Sequence, residues 1–273
     1  MMLVSMGYWQ RQKPRQCHAE AEEDNLGNKV FNERFDRWDT CSLCEQEYHG
    51  VVSCALGWAC WKTYVGRPET DTCQRNAMNQ LGLGLYGAKR YEDALTVQAA
   101  ELAMYRRVGA PEGEVLAAQA NLALTYDQLG RLEEALHVKR DVYSGRLKLH
   151  GEEHEESLRA AINYAHSLMN LQRFEEGKSL MRKWMPVAQR VFGESNETML
   201  RMRWIYGEAL CVNPDATLDD LREAVTTLED AGRIARRVLG GAHPTTGGIE
   251  HNLQNARAAL RAGETPSPGR GKY

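Results

Sequence analysis

The side chains in this sequence best suited to chemistry are thiols and imidazoles, and they are bunched. Seven cysteines occur in 273 residues, and five of them fall between Cys41 and Cys73. In RWDTCSLCEQEYHGVVSCALGWAC (37–60), two residues separate Cys41 from Cys44, a spacing that lets one turn offer two thiolates to a zinc ion. His49 and Cys54 follow, each after four intervening residues, which would complete a four-ligand set. Residues 51–64, however, carry the pattern of an amphipathic helix, and that gives Cys54 a packing role. A buried thiol pair without metal accounts for the same residues. Cys41 and Cys44 are therefore the candidate metal ligands, zinc is the candidate ion, and no other cofactor is called for. No nucleophile-base constellation, phosphate-cradling glycine loop or H-E-x-x-H is present, so the chain is not expected to be an enzyme.

The elements that must position these groups are repeated. Gly151 to Gly193 reads as an acidic lead-in, two amphipathic helices and a closing glycine. Its LQRFEEGKSL (171–180) falls on LGRLEEALHV (129–138) at an offset of 42, and that string falls on AKRYEDALTV (88–97) at 41. Forward, the match is LDDLREAVTT (218–227) at 47, the difference being taken up by VNPDAT (212–217). First helices keep one register: Gln80-Leu81-Gly82, Asn121-Leu122-Ala123, Asn163-Tyr164-Ala165, Ile205-Tyr206-Gly207, and a last half-unit at Asn252-Leu253. Such a period predicts an all-α, right-handed superhelical solenoid of antiparallel helix pairs. The pairs are expected at 71–87 with 91–108, 112–129 with 132–149, 155–171 with 174–191, and 196–211 with 218–239, followed by a helix over 244–262. The small residues Gly82, Ala123, Ala165 and Gly207, and Ala94, Ala135, Gly177 and Ala224, are expected where paired helices approach closely.

Domain organisation follows from this. Residues 1–18 lack a period and are expected to be disordered. Residues 19–70 form a helical segment holding the cysteine cluster, with helices over about 19–38 and 50–64. Along the second, Val51, Cys54, Ala55, Trp58, Trp61 and Val65 share one apolar side. Residues 71–263 are the array, and 264–273 a flexible tail. Charged residues make up 26% of the chain and hydrophobic ones 42%, the balance of a folded protein, and the net charge is only −3. Dispersed charge of that size gives no case for nucleic acid or an anionic membrane. The sequence contains neither a signal peptide nor an 18-residue apolar run, so a cytoplasmic protein with reduced thiols is expected.

NLALTYDQLGRLEEAL (121–136), with the inter-repeat strings LHGEEHEESL (149–158), VFGESNETML (191–200) and VLGGAHPTTG (238–247), resembles tetratricopeptide repeats of the longer kinesin-light-chain type. The likeness extends over about 72–262, with Ile205 departing from the pattern in the fourth repeat. The heptad coiled coil of light chains is not found, so the resemblance implies the array and not kinesin attachment. In that family first helices line a groove, and the Asn of the LNNLA string hydrogen-bonds an extended peptide. The matching positions are Asn121, Asn163 and Asn252, with Gln80 as a substitute. Neighbouring inner positions are Asn79, Asp127, Gln128, Arg159, His166, Asn170 and Arg201. The alternative is that these are polar helix residues facing water. The implied function is a scaffold or adaptor for a protein or peptide partner.

The cysteine stretch has the spacing of a zinc knuckle but lacks its glycines and aromatic. It more closely resembles the end of a RING-CH-type finger, in which a Trp precedes a closing C-x2-C and an aromatic follows, here Trp38, Cys41, Cys44 and Tyr48. Such a finger needs six further ligands, and only Cys17-His18 lies upstream. That resemblance implies a finger remnant and, as the rival function, the substrate-recognition part of a RING-CH-type ubiquitin ligase.

Overall fold

A computed structural model describes residues 35–41 and 43–264. Of the helix expected over about 19–38 only residues 35–38 are described, and there Asp36–Trp38 is a 3-10 turn and not α-helix; the rest of it, the expected disordered start and all but the first residue of the tail lie outside the described residues. Ten α-helices are described: α1 Gly50–Tyr64, α2 Thr72–Gly87, α3 Tyr91–Val108, α4 Glu112–Gln128, α5 Leu132–His150, α6 Glu155–Asn170, α7 Phe174–Phe192, α8 Glu197–Val212, α9 Leu218–Val238 and α10 Pro244–Glu264. A 3-10 turn over Asp36–Trp38 and a single antiparallel bridge between Thr40 and Glu47 precede them. The fold class is thus the expected all-α one of tetratricopeptide-like helix pairs. No described helix is long and apolar enough to cross a membrane.

The chain divides into two compact units, residues 1–131 and 132–273. In the first, α1 packs on α2, α2 on α3 and α3 on α4. The junction of α1 and α2 is made by two glycines. A Cβ on Gly57 would stand 2.7 Å from the Gln80 carbonyl oxygen, and one on Gly84 would stand 2.7 Å from that of Ser53. These helices therefore touch backbone to backbone, which only a residue without a side chain allows. That contact, and not the apolar stripe, sets which side of α1 is buried. Cys54, Leu56, Gly57, Cys60 and Tyr64 face inward, while Val51 and Trp58 are exposed with Ala55 and Val65. The expected stripe is corrected to this face. Apolar residues lie all round α1, so their spacing could not choose a side.

Phe35 and Trp38 cap this packing, with the Phe35 and Tyr64 rings 5.9 Å apart. Across α2, α3 and α4 the small residues Gly82, Ala94 and Ala123 are buried as the close-approach pattern predicts, and Ala77 and Ala118 are buried with them. One buried polar pair lies here: the Thr125 hydroxyl donates to Gln98 Oε1 at 2.6 Å.

In the second unit α5 packs on α6, α6 on α7, α7 on α8, α8 on α9 and α10, and α9 on α10. One continuous core runs through it, built round Trp184, Met181, Leu158, Leu200, Met202, Leu210 and Leu228. Trp184 is fully buried, so its indole N–H must find an acceptor, and it donates to the Tyr143 hydroxyl at 3.1 Å. Ala165, Gly177, Gly207 and Ala224 are buried between helices as expected. The longer VNPDAT link ends in a capping box, in which Thr217 Oγ1 accepts from the Asp220 amide and the Asp220 carboxylate accepts from that of Thr217.

Candidate functional site

First helices of the repeats turn their apolar positions inward and leave one polar stripe open. On α4, Leu122, Ala123 and Thr125 are buried, so the residues near 100° from them round the helix are pushed outward. Asn121 is half-buried there, Gln128 is exposed two turns on, and Leu124 lies between them, 36% exposed. The Asn121 side chain makes no hydrogen bond with any described residue, so its donor and acceptor are both available. Asp127 is turned off this stripe toward Tyr86, whose phenol is pushed up in pKa by burial first, then by Tyr91 and Asp127.

On α2 the corresponding positions differ. Gln80 is half-buried, and its Nε2 donates to Asp39 Oδ2 at 3.3 Å, so the preceding segment already holds this amide. Asn79 is used inside the helix pair, where its Nδ2 donates to Glu101 Oε1 at 3.0 Å. Glu101 is fully buried on α3, and burial pushes its carboxyl up to about 7 against the opposing hydrogen bonds of Asn79 and Tyr105. Nothing in its sequence context marks Glu101, because its burial comes from two neighbouring helices.

In the second unit α6 carries Asn163, His166 and Asn170 on one side. Asn163 is half-buried with no hydrogen bond to a described residue, and the exposed His166 and Asn170 approach to 3.5 Å. Arg159 is exposed on the same side and pairs with Glu155 at 3.6 Å. Arg201 is exposed on α8. Asn252 does not join this group. It is buried on α10 with its amide toward Glu208, whose carboxyl is raised by burial with the Asn252 amide opposing. Unit by unit, then, Asn121 and Gln128, and likewise Asn163, make no side-chain hydrogen bond with a described residue, His166 and Asn170 meet each other, Gln80 is held by Asp39, and Asn252 is buried with its Nδ2 unpartnered among the described residues.

The cysteines form a separate feature. The Cys41 amide donates to the Gln46 carbonyl at 2.8 Å, and the Glu45 amide to that of Cys41 at 2.8 Å. Glu45 takes the left-handed conformation at φ 56° to close the turn. The amides of Leu43 and Cys44 point at the Cys41 sulfur, and with the Cys44 and Tyr48 side chains they lower its pKa to about 7. Such a turn presents a thiolate well. Cys54 and Cys60 are buried in the helix packing, and burial pushes Cys60 up. Among the described residues no group of three or more Cys, His, Asp or Glu could hold a metal.

Residues 74–148 match the tetratricopeptide repeat family profile. No curated protein sequence matches the chain. Solved structures resemble these repeats in fold. One is the nearly identical TPR-like repeats of a Podosopora anserina protein described as a kinesin light chain, at 20% identity over 68% of this chain and 86% of that one, with a TM-score of 0.59. Another is BtubC (BKLC) from P. vanneervenii, at 17% identity over 81% and 92%, with a TM-score of 0.55. A third is a Rap protein complexed with Competence and Sporulation Factor, at 12% identity over 95% and 74%, with a TM-score of 0.52. At these identities the repeats share an architecture with those proteins.

Proposed function

We propose that this chain is an interaction adaptor that holds a peptide or protein segment of a partner against the open side of its first helices. The carrying observation is that Asn121 and Asn163, which stand at one repeat position, both keep unpaired amides beside buried apolar neighbours. A side-chain amide offers a donor and an acceptor at once, the pair of groups an extended backbone requires. The Rap structure, similar in fold, was solved in complex with Competence and Sporulation Factor, which supports ligand holding by this architecture.

A photo-reactive residue at the exposed Gln128 would recover the partner, which is then titrated against wild type and the Asn121→Ala/Asn163→Ala double variant. Affinity should fall by about 0.5–1.5 kcal/mol for the amide of whichever unit holds the partner's backbone, which the two single variants tell apart. Equal affinities would place the binding surface elsewhere.

A second reading makes the array the substrate-recognising part of a RING-CH-type ubiquitin ligase. It is favoured by the Cys41–Cys44 turn, where backbone amides support a thiolate two residues beyond the buried Trp38 and its following Asp39. Ubiquitin transfer by the purified chain with activating and conjugating enzymes, lost in Cys41→Ser, would be required of it. Absence of transfer leaves the adaptor reading alone.

A further inference from the structure

The open stripe of the first unit differs in chemistry from its counterpart in the second. On α2 it runs through positions 76, 80, 83 and 87, and on α4 through 117, 121, 124 and 128, the i, i+4, i+7, i+11 series of one helix side. None of these eight positions holds a charged residue. At the equivalent register Leu83 and Leu124 are 39% and 36% exposed, while their helix neighbours Leu81, Leu85 and Leu122 are buried. Two leucines left open at one repeat position, 41 residues apart, are a repeated feature and not a stray apolar side chain. Ala117 stands open beside them, so nothing bulky screens the α4 stripe. In the second unit the same positions hold His166 and Glu208, with Arg159 and Arg201 two turns before.

Resting on the adaptor reading, we propose that the α2–α4 stripe selects an extended, uncharged partner segment that sets apolar side chains of leucine size on Leu83 and Leu124. Charge decides against other occupants. A carboxylate or ammonium brought onto this stripe would lose water and meet no counter-charge on it. Asp39 reaches only the Gln80 end of it, where its carboxylate repels an acidic side chain, and no charged residue stands at the Leu83 and Leu124 positions. Apolar side chains gain by covering the two leucines, and Asn121 supplies the donor and acceptor for the backbone between them. α2 and α4 meet at only a few residues, so a partner crossing from one to the other needs at least about three residues of extended chain.

The test uses the full chain and three labelled serine/threonine decapeptides, carrying at positions three apart a pair of leucines, of aspartates or of lysines. Binding is read by fluorescence anisotropy. The leucine peptide should bind at least tenfold more tightly than the other two, and Leu83→Ser/Leu124→Ser should erase that margin while the chain stays folded with only a lowered melting temperature. Asn121→Ala should weaken all three peptides. An aspartate or lysine peptide that binds as well as the leucine one, or a margin that survives the double leucine variant, overturns the selection. If Asn121→Ala still weakens binding in that case, the adaptor reading stands and only the apolar choice fails. Failure of all three peptides to bind overturns the selection, while the crosslinked partner's response to the Asn variants independently judges the adaptor reading.

Discussion

Gly177 and Gly207 look alike in a sequence, each a glycine within a helix where other repeats have alanine or glycine, yet their surroundings differ. A Cβ on Gly177 would lie 3.2 Å from Met169 Sδ, the middle of a flexible side chain that can yield by a few tenths of an ångström. Gly177→Ala should therefore raise the melting temperature, by at most the about 0.5–1 kcal/mol of helix propensity. On Gly207 the Cβ would fall 2.6 Å from Leu228 Cγ, a branched carbon in the core, so Gly207→Ala should lower it. Calorimetry on both variants checks the pair; a fall for Gly177→Ala would show that Met169 cannot yield.

Glu101 makes a second prediction at this scale. Its carboxyl, ordinarily near 4.5, is raised to about 7 by burial, so the native state keeps its proton where the unfolded chain has lost it. Stability should be unaffected below about pH 4.5, fall between there and about pH 7, and level off above, by on the order of 3 kcal/mol in all. Glu101→Gln keeps the acceptor for Asn79 and cannot ionise. Its melting temperature should be flat over that range and exceed wild type at pH 8; parallel profiles would remove Glu101 as the cause. For zinc, two thiolates cannot close a tetrahedron, so the purified chain should hold well under one equivalent by elemental analysis. One tightly bound zinc per chain, lost in Cys41→Ser, would show that further ligands join Cys41 and Cys44.

At the scale of elements, α1 is held to α2 by absence of side chains. With Gly57 and Gly84 each facing a backbone carbonyl at Cβ distances of 2.7 Å, no rotamer change can relieve an added methyl. Gly84→Ala should cost about 1–3 kcal/mol, the range for overpacking. The loss should be local: hydrogen exchange in α1 should quicken, while that of α6 to α10 is unchanged. Uniform quickening would mean that α1 and the later repeats unfold as one.

Over the whole molecule, the adaptor reading assigns binding and stability to different sides of the same helices. Asn121 and Asn163 make no side-chain hydrogen bond with a described residue, so their replacement by Ala should leave helicity and melting within about 0.5 kcal/mol of wild type. A large drop would make these residues structural and remove the main support of the adaptor reading. The sequence by itself determined the repeat, the helix bounds to within a residue or two, and the small residues between helices. Each of these rests on spacing along one chain, and a period of about 42 residues survives substitution at most positions. Only the tertiary structure decided which amides stay open. Gln80 and Asn121 are equivalent in register, but Asp39, forty-one residues upstream of Gln80, holds the first and nothing described holds the second. Asn252 continues the same series and is buried against Glu208 on a neighbouring helix. The buried side of α1 was likewise illegible, because an evenly apolar helix has no preferred face until Gly57 and Gly84 bring a second backbone against it. Register is a property of the chain, but availability depends on which neighbours come within hydrogen-bonding distance, and those neighbours are supplied by packing.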